Sequence, residues 1–196
     1  MNKACVPVNV AEEGQEECDL LDIVGTGGDG ADTINISTAS AMLAAACGAR
    51  VAKCGNRSVS SACGSADVLE LLGVAIDLPP AAAAECIRRS NVGFLYAPVN
   101  HPAMRVVAPV RKAVGIRTSF NILGPITNAA RANRVVIGVF EEPLVELLAG
   151  ALVQIGNIEH GVVVHGCGEG ASFSYFCLIL PSETLYRRAI RVLSYL

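Results

Sequence analysis

Short apolar runs alternate with longer amphipathic segments in the first half of the chain. The run DLLDIV (19–24) predicts a buried strand, because it is short, apolar and followed by glycine. The segment STASAMLAAACG (37–48) predicts a helix rich in small residues. Ser37 or Thr38 would cap the start of this helix, and Gly48 would follow its end.

The same order of elements repeats immediately afterwards. The segment ARVAKCGN (49–56) predicts a second strand, and GSADVLELLGV (64–74) predicts a second helix that Ser65 caps and Gly73 ends. A strand, a loop and a helix that recur in this way predict parallel strands connected by right-handed crossovers.

The pattern changes after the second helix. The segment LPPAAAAECIRRSNVG (78–93) predicts a helix with prolines at its start. A further helix is predicted over HPAMRVVAPVRKAVG (101–115), interrupted or kinked at Pro109. These two helices flank FLYAP (94–98) and together indicate an inserted helical segment.

The alternation of strand and helix returns in the second half. The runs RVVIGVF (134–140) and GVVVHG (161–166) predict strands on either side of a helix over PLVELLAGALVQIG (143–156). The sequence beyond this point differs in character, and its last part predicts an amphipathic helix capped by Ser182. We therefore expect a loose N-terminal segment, a first α/β part, an inserted helical subdomain, a second α/β part and a divergent tail, at 1–19, 20–78, 79–125, 126–170 and 171–196.

Composition narrows the class of protein. The 196 residues are 52% hydrophobic and 5% aromatic, with no tryptophan, which favours α/β layers packed through small side chains. A formal net charge of -3 argues against nucleic acid and anionic membrane as partners. The N-terminus has no apolar signal region, and no apolar run is long enough to cross a bilayer. We expect a soluble protein of the cytoplasm, or of the plastid stroma if the source is a plant.

The eight cysteines match no zinc pattern in their spacing. A chain of this length can build an apolar core without disulfides. We therefore expect reduced cysteines that pack as small core side chains.

The stretch VGTGGDGADTINIST (24–38), the first polar loop, concentrates glycine between the first strand and the first helix. It contains G-x-G-x-x-G, but a dinucleotide site also needs an acidic residue about 20 positions later, and none occurs between Asp32 and Asp67. The G-K-[ST] of a Walker A loop is also missing. We interpret this stretch as an anion-binding loop backed by a helix N-terminus, with Asn35, Ser37 and Thr38 beside the anion. The alternative, a tight turn before a capped helix, accounts for one glycine and one serine but not for four glycines and the polar cluster.

The segment KCGNRSVSSACGS (53–65), the second polar loop, follows the second strand. One lysine charge combined with many backbone and side-chain donors suits a multiply charged group such as pyrophosphate. The side chains concerned are Lys53, Asn56, Arg57, Ser58, Ser60, Ser61 and Ser65.

These two loops, with GSADVLELLG, HPAMRVVAPVRKAVGIRTSFNILGPITNAAR and VVVHG, closely resemble the anthranilate phosphoribosyltransferases of tryptophan biosynthesis. The resemblance runs in order from about Asp19 to Gly166. The related pyrimidine nucleoside phosphorylases match these motifs much less well. The resemblance implies an α/β fold of the nucleoside phosphorylase and phosphoribosyltransferase type, a parallel sheet flanked by helices with a small inserted helical subdomain, here incomplete.

The resemblance also implies a reaction. The family uses Mg²⁺ and transfers the phosphoribosyl group of 5-phosphoribosyl 1-pyrophosphate (PRPP) to the amine of anthranilate, giving N-(5-phosphoribosyl)anthranilate and pyrophosphate. No catalytic side chain is expected, because an aromatic amine attacks through its own lone pair. By resemblance, Ser37 would ligate Mg²⁺, and Gly25, Asn56 and Arg111 would contact anthranilate. The implied PRPP-binding residues are Gly25, Gly28, Asp29, Thr33, Asn35, Ile36, Ser37, Thr38, Lys53, Asn56, Arg57, Ser60, Ser61 and Ser65.

The chain departs from the family pattern in several places. Cys54 follows Lys53 where the family has histidine, and Lys53 and nearby amides would lower the pKa of its thiol. Glu169 is a lone carboxylate where the family has an Asp-Glu pair of Mg²⁺ ligands. The N-terminal segment, which helps to form the family's homodimer, is shorter, and the C-terminal tail looks foreign. We therefore expect a chain truncated at both ends or, alternatively, a non-catalytic paralogue or gene fragment that at most binds the phosphorylated donor.

Overall fold

The computed structural model describes residues 4–11, 18–28, 30, 34–58, 63–114, 118–167, 173–179 and 185–191. The strands are β1 (Leu21–Gly25), β2 (Val51–Gly55), β3 (Val92–Tyr96), β4 (Arg134–Gly138), β5 (His160–Cys167), β6 (Phe173–Ile179) and β7 (Leu185–Arg191). The helices are α1 (Ile36–Ala46), α2 (Ser65–Leu71), α3 (Pro80–Ser90), α4 (Ala97–Asn100), α5 (Met104–Val114), α6 (Phe120–Leu123) and α7 (Pro143–Ile155), with a 3₁₀ turn at Gly124–Ile126. The strands form one sheet in the order β3-β2-β1-β4-β5-β6-β7.

The first five strands run parallel, which confirms the predicted parallel sheet flanked by helices. β1 lies between β2 and β4, and Leu21 is paired with both Val51 and Arg134. The chain builds outward from β1 to β3 and then returns to β4 on the other side of β1. Ligands of open parallel sheets bind at the carboxyl ends of the strands where the strand order reverses in this way. The first polar loop leaves the sheet at this point.

Helix α1 packs on the sheet through small side chains, and helix α7 packs on it through leucines. On α1, Ala41 and Ala45 are buried against Val51 of β2. On α7, Leu148 and Leu152 are 1% exposed in a cluster with β4 and β5. None of the helices in the described ranges combines the length and the apolar character that a bilayer span needs.

Residues 6–10 are packed, although the sequence analysis placed them in a loose N-terminal segment. Val8 and Val10 are 2% and 5% exposed. The Val6 N–H donates to the Asn100 carbonyl at 2.8 Å, and the Val8 N–H donates to the Ala129 carbonyl at 2.9 Å. The prediction was wrong here because VPVNV is too short to show a clear periodicity, although its alternate residues Val8 and Val10 are the buried ones.

Strand β3 was not predicted. The two helices expected around it are present as α3 and α5, and α5 continues through Pro109. β3 pairs with β2 from Val51↔Val92 to Gly55↔Tyr96, so a strand of the main sheet lies within the segment that we interpreted as an inserted helical subdomain. The prediction failed because only Asn91, in the left-handed conformation, separates the end of α3 at Ser90 from the strand, so no loop marks the boundary.

The predicted C-terminal helix is a strand. β6 runs antiparallel to β5, and β7 runs antiparallel to β6 with Phe173↔Arg191 and Ile179↔Leu185 at the two ends of the register. A run as short as LYRRAIR fits a period of two as well as a helical period, and pairing with β6 satisfies the backbone groups along one side of the strand. Ser182, the predicted cap, lies outside the described residues.

The ends of α1 and α2 agree with the predictions, but their starts do not. Gly48 and Gly73 follow the two helices with φ of 97° and 82°, a region that favours glycine. The N-cap of α1 is Asn35, and the N-cap of α2 is Gly64. The predicted caps Ser37, Thr38 and Ser65 therefore lie inside the helices.

A buried polar network joins β1 and β2 to the segment before β4. Asp22 is 1% exposed. Its Oδ1 accepts the Cys54 N–H at 3.0 Å, and its Oδ2 accepts a bond from Asn128 Nδ2 at 2.7 Å. Asn128 Nδ2 also donates to the Ala52 carbonyl at 2.8 Å, and Asn128 Oδ1 accepts the Ala130 N–H at 2.8 Å. Three separate parts of the chain are thereby fixed around one carboxylate.

Substitution of two glycines by alanine should change the stability of the protein in opposite directions. A Cβ at Gly93 would lie 2.6 Å from Ile87 Cγ1 and 2.8 Å from the Ala83 carbonyl oxygen, whereas a Cβ at Gly150 on α7 would meet no heavy atom within 4 Å. We expect Gly93→Ala to lower the free energy of unfolding by about 1–3 kcal/mol through overpacking. Gly150→Ala should raise it by about 0.5–1 kcal/mol through helix propensity. Urea titration measures both, and an equal effect of the two substitutions would contradict the packing of α3 on β3.

The Asp22 carboxyl should make stability depend on pH. Burial raises its pKa to about 6, against the hydrogen bond from Asn128 and the charge of Lys53. A carboxyl whose pKa is higher in the folded protein stabilises the fold below its unfolded pKa and loses that contribution as pH rises through the folded value. Relative to Asp22→Asn, the free energy of unfolding of the natural protein should therefore fall by on the order of 2 kcal/mol from about pH 4 to about pH 7. Urea titrations across this range would contradict the assignment if the two proteins gave parallel profiles.

Candidate functional site

The two polar loops leave the sheet side by side. They follow β1 and β2, which are parallel neighbours, so both start at the carboxyl edge of the sheet. Two side-chain hydrogen bonds connect the elements that carry them. Lys53 Nζ donates to Ser37 Oγ at 3.2 Å, and Thr38 Oγ1 donates to Ser65 Oγ at 2.9 Å. The structure therefore brings together four residues that the sequence analysis assigned to one site.

The glycines of the first polar loop are required by the backbone. Gly27, Gly28 and Gly30 have φ of 66°, 76° and 70°, which side-chain-bearing residues rarely adopt. The loop is tied to the end of β4, because the Thr26 N–H donates to the Gly138 carbonyl at 2.9 Å. The Phe140 N–H in turn donates to Thr26 Oγ1 at 3.2 Å. The predicted site residues Asp29 and Thr33 lie outside the described residues.

The hydroxyls at the start of α1 connect the loops instead of capping the helix. Asn35 occupies the N-cap without a side-chain capping bond. Ser37 and Thr38 lie in the first turn, where their hydroxyls bond to Lys53 and Ser65. Ile36, also predicted at the site, is the first residue of α1 and is 58% exposed. The Ile36 and Thr38 N–H groups donate to the Ile34 and Asn35 carbonyls at 2.7 and 3.0 Å, so this end of α1 attracts an anion chiefly through the helix dipole.

Lys53 lies beneath the loops, not at the surface of the site. It is 2% exposed, and its ammonium donates to the Ile23 carbonyl at 2.8 Å in addition to Ser37. Burial lowers the pKa of Lys53, while the negative charge of Asp22 acts in the opposite direction. The sequence analysis expected a lysine that leaves the end of its strand toward a phosphate. In the structure the Lys53 ammonium lies below the first polar loop and contacts it through its hydrogen bond to the Ser37 hydroxyl.

Arg57 of the second polar loop is bound to two acidic side chains of α2. Its guanidinium donates to both carboxylate oxygens of Glu70, at 2.7 and 3.0 Å, and to Asp67 Oδ1 at 3.1 Å. Hydrogen bonds to Glu70, Tyr96 and Asp67, in decreasing order of effect, raise the pKa of Arg57 above its usual range. Asn56 Oδ1 accepts the Arg57 N–H at 2.8 Å. Ser60 and Ser61 lie outside the described residues.

The predicted contacts of anthranilate are only partly described. Gly25 ends β1, and Asn56 follows β2, so both lie at the carboxyl edge of the sheet. Arg111 lies on α5, and its side chain is outside the part of the chain that the structure describes. The role of these three residues therefore stays a prediction.

Cys54 is a buried thiol. It is 5% exposed on β2, and burial and the charge of Asp22 raise its pKa well above the usual range. We expected the neighbouring Lys53 to lower that pKa. This expectation was wrong because the lysine charge is weaker in its effect than desolvation. Cys54 is therefore a neutral packing residue.

The described residues contain no group of three or more His, Cys, Asp or Glu side chains that could hold a metal ion. The predicted ligand Ser37 offers one hydroxyl oxygen, and Lys53 occupies one of its two lone pairs. Mg²⁺ commonly keeps several waters and binds through one or two protein oxygens together with substrate phosphates. The donor set fits a metal that arrives with a phosphorylated ligand. Glu169 is outside the described residues.

Asp22 and Asn128 were missed as contributors to the site. Their network holds β1 and β2 in register directly below the two polar loops. One signal was available, since Asp22 interrupts an otherwise apolar strand run and a buried carboxylate needs partners. Nothing in the local sequence identifies Asn128 as that partner, because the two positions are 106 residues apart.

Comparison with known proteins supports one family. The sequence model described as the glycosyl transferase family, a/b domain, matches residues 17–174. The chain is 58% identical over 147 residues to the anthranilate phosphoribosyltransferase of Paracidovorax citrulli, covering 75% of this chain and 42% of that protein. It is 55% identical over 166 residues to the enzyme of the same name from Albidiferax ferrireducens, covering 85% of this chain and 46% of that protein.

Solved structures give the same result. The crystal structure of anthranilate phosphoribosyltransferase from Thermus thermophilus has a TM-score of 0.82 and 45% identity, over 97% of this chain and 56% of that chain. The Saccharomyces cerevisiae enzyme in complex with PRPP and Mg has a TM-score of 0.78 and 28% identity, over 95% of this chain and 51% of that chain. In the sequence comparisons, the chain spans less than half the length of the proteins from Paracidovorax citrulli and Albidiferax ferrireducens. The resemblance seen in the sequence is confirmed, and the chain belongs to the glycosyl transferase family through the a/b domain that it matches.

Proposed function

We propose that this chain carries the donor site of a phosphoribosyltransferase, which binds PRPP with Mg²⁺ and transfers its phosphoribosyl group to the amine of anthranilate in tryptophan biosynthesis. The observation that supports this most directly is the junction of the two polar loops through the Lys53–Ser37 and Thr38–Ser65 hydrogen bonds. A similar protein, from Saccharomyces cerevisiae, has been solved in complex with PRPP and Mg.

The first polar loop suits the pyrophosphate of the donor. Glycines at positive φ allow the main chain to approach an anion closely, because no Cβ stands in the way. The N-terminus of α1 adds the positive end of its dipole. The Lys53 ammonium is buried behind the N-terminus of α1, in a region of low dielectric constant. Its positive charge therefore strengthens the attraction between the first polar loop and the pyrophosphate.

Ser37 is suited to the metal. The Ser37 hydroxyl oxygen accepts a hydrogen bond from Lys53 through one of its two lone pairs, which fixes its orientation. The second lone pair is available to a cation. When bound, Mg²⁺ would neutralise charge that develops on the pyrophosphate. The protein's part is to hold Ser37 and the main-chain donors in place before the reaction begins.

The reaction needs orientation more than acid or base catalysis. As the bond between ribose C1 and the pyrophosphate oxygen breaks, its electron pair leaves with pyrophosphate. The anthranilate amine supplies the lone pair for the new C–N bond and then loses a proton to solvent. Gly25, Asn56 and Arg111 would hold the acceptor, and alignment of two bound substrates removes much of the barrier.

Removal of the Ser37 hydroxyl should weaken the binding of PRPP. We expect the natural chain to bind PRPP in calorimetry with an affinity that increases when Mg²⁺ is added. Ser37→Ala should reduce the Mg²⁺-dependent affinity by about tenfold, the size expected for a lost hydrogen bond to a charged group. Ser40→Ala, the same change one turn later on α1, is the matched control and should bind as the natural chain does.

The outcomes separate the two candidate functions. Mg²⁺-dependent binding followed by turnover with anthranilate would support the transferase. Binding without turnover would favour the alternative, a non-catalytic chain that binds the donor only. A folded chain that does not bind PRPP would contradict the proposed site itself.

A further inference from the structure

The second polar loop is closed at its base by one carboxylate, that of Asp67 on α2. We propose that Asp67 is the positioning residue of this loop, and that it holds the loop's two ends together so that the donors on them face the first polar loop. The proposal rests on the proposed function, since it concerns the same PRPP site. No sequence motif had assigned a role to Asp67.

The hydrogen bonds of Asp67 come from both ends of the loop. Its Oδ2 accepts the Ser58 N–H at 3.0 Å and the Gly64 N–H at 2.8 Å. These two main-chain groups belong to segments on either side of residues 59–62. A single oxygen therefore joins the segment that follows β2 to the residue that precedes α2. The two N–H bonds lower the pKa of Asp67, so the group is a carboxylate at neutral pH.

The two ends are also in direct backbone contact, and we refer to residues 56–58 and 64 as the neck of the loop. A Cβ at Gly64 would lie 2.3 Å from the Ser58 nitrogen and 2.7 Å from the Arg57 carbonyl carbon. Glycine is needed here for close approach, because the neighbouring atoms are main chain and cannot rotate away. The Ala66 N–H adds a further bond across the neck, to the Asn56 carbonyl at 3.2 Å.

Asp67 also fixes the direction of Arg57. Its second oxygen, Oδ1, accepts a bond from Arg57 Nη1 at 3.1 Å, while Glu70 binds the same guanidinium through both of its oxygens. The main-chain bonds and the arginine bond use different oxygens of one carboxylate. A substitution at Glu70 therefore removes ionic contacts of Arg57 and leaves the neck closed, which provides a control.

The neck is connected to the first polar loop. Ser65, next to Gly64, accepts the hydroxyl hydrogen of Thr38 at 2.9 Å. Asn56, at the other side of the neck, is a predicted contact of both substrates. If the neck opens, Asn56 and Ser65 shift relative to Ser37 and Thr38, and a ligand that spans both loops must reorder them on binding. Small displacements of this kind are costly because the binding groups are no longer preorganised.

The test compares three variants of the full chain at a temperature far below their unfolding transitions. Asp67→Ala removes every bond of the carboxylate, Asp67→Asn keeps one oxygen for the two main-chain N–H groups, and Glu70→Gln is the control. Calorimetry with PRPP and Mg²⁺ measures affinity, and amide hydrogen exchange measures protection of Ser58 and Gly64. We expect Asp67→Ala to bind PRPP roughly ten- to a hundredfold more weakly, as misplaced binding groups do. Asp67→Asn should recover part of the affinity, and Glu70→Gln should stay within about threefold of the natural chain, as expected for an exposed ion pair.

A purely structural role of Asp67 would lower the melting temperature and leave the affinity unchanged. Equal affinity in Asp67→Ala and the natural chain would therefore overturn the proposal. If Asp67→Ala does not fold, Gly64→Ala replaces it, because the added Cβ forces the neck apart, and unchanged affinity in that variant would be equally decisive against the proposal. If the natural chain does not bind PRPP, the proposed function is wrong. Amide hydrogen exchange then remains as the test of whether Asp67 holds the two sides of the neck together. Faster exchange of Ser58 and Gly64 in Asp67→Ala would then support its closure by Asp67, and unchanged exchange would overturn it.

Discussion

A buried ammonium group, that of Lys53, is the constraint around which the site is arranged. A charge that is 2% exposed is stable only with close partners, and Lys53 has the Ile23 carbonyl, the Ser37 hydroxyl and the nearby negative charge of Asp22. These partners come from two elements other than β2, the strand that carries Lys53. β1 supplies the carbonyl and the carboxylate, and α1 supplies the hydroxyl. Satisfying this one charge therefore requires that both strands and the first helix take the observed positions.

Several polar side chains in the described parts of the two loops have partners within the protein. Thr38 bonds to Ser65, Ser37 to Lys53, and Arg57 to Glu70. Such contacts limit the reorganisation that accompanies binding. They also explain why so many hydroxyl and amide groups occur in two short segments, since part of them serves to position the rest.

The sequence alone predicted the features that depend on local chemistry. Glycines at positions 27, 28 and 30 indicated a special backbone, and their φ values are all positive. The parallel strands β1, β2, β4 and β5 and the helices α1, α2, α3, α5 and α7 followed from hydrophobic periodicity. What could not be predicted depends on tertiary contacts. The pairing of Asp22 with Asn128 spans 106 residues, β7 needs β6 as its partner, and the hydroxyls of Ser37 and Thr38 resemble helix caps until the neighbouring loop is in place.

The depth of Lys53 has a consequence for the behaviour of the site in salt. Mobile ions screen exposed charges over a Debye length of about 8 Å at physiological ionic strength, but they cannot enter the packed layer that surrounds a buried group. Arg57, whose side chain is 45% exposed, lies within reach of that ionic atmosphere, and Lys53 does not. The attraction that we propose between the first polar loop and an anion should therefore persist at ionic strengths that largely cancel any contribution of the surface arginine.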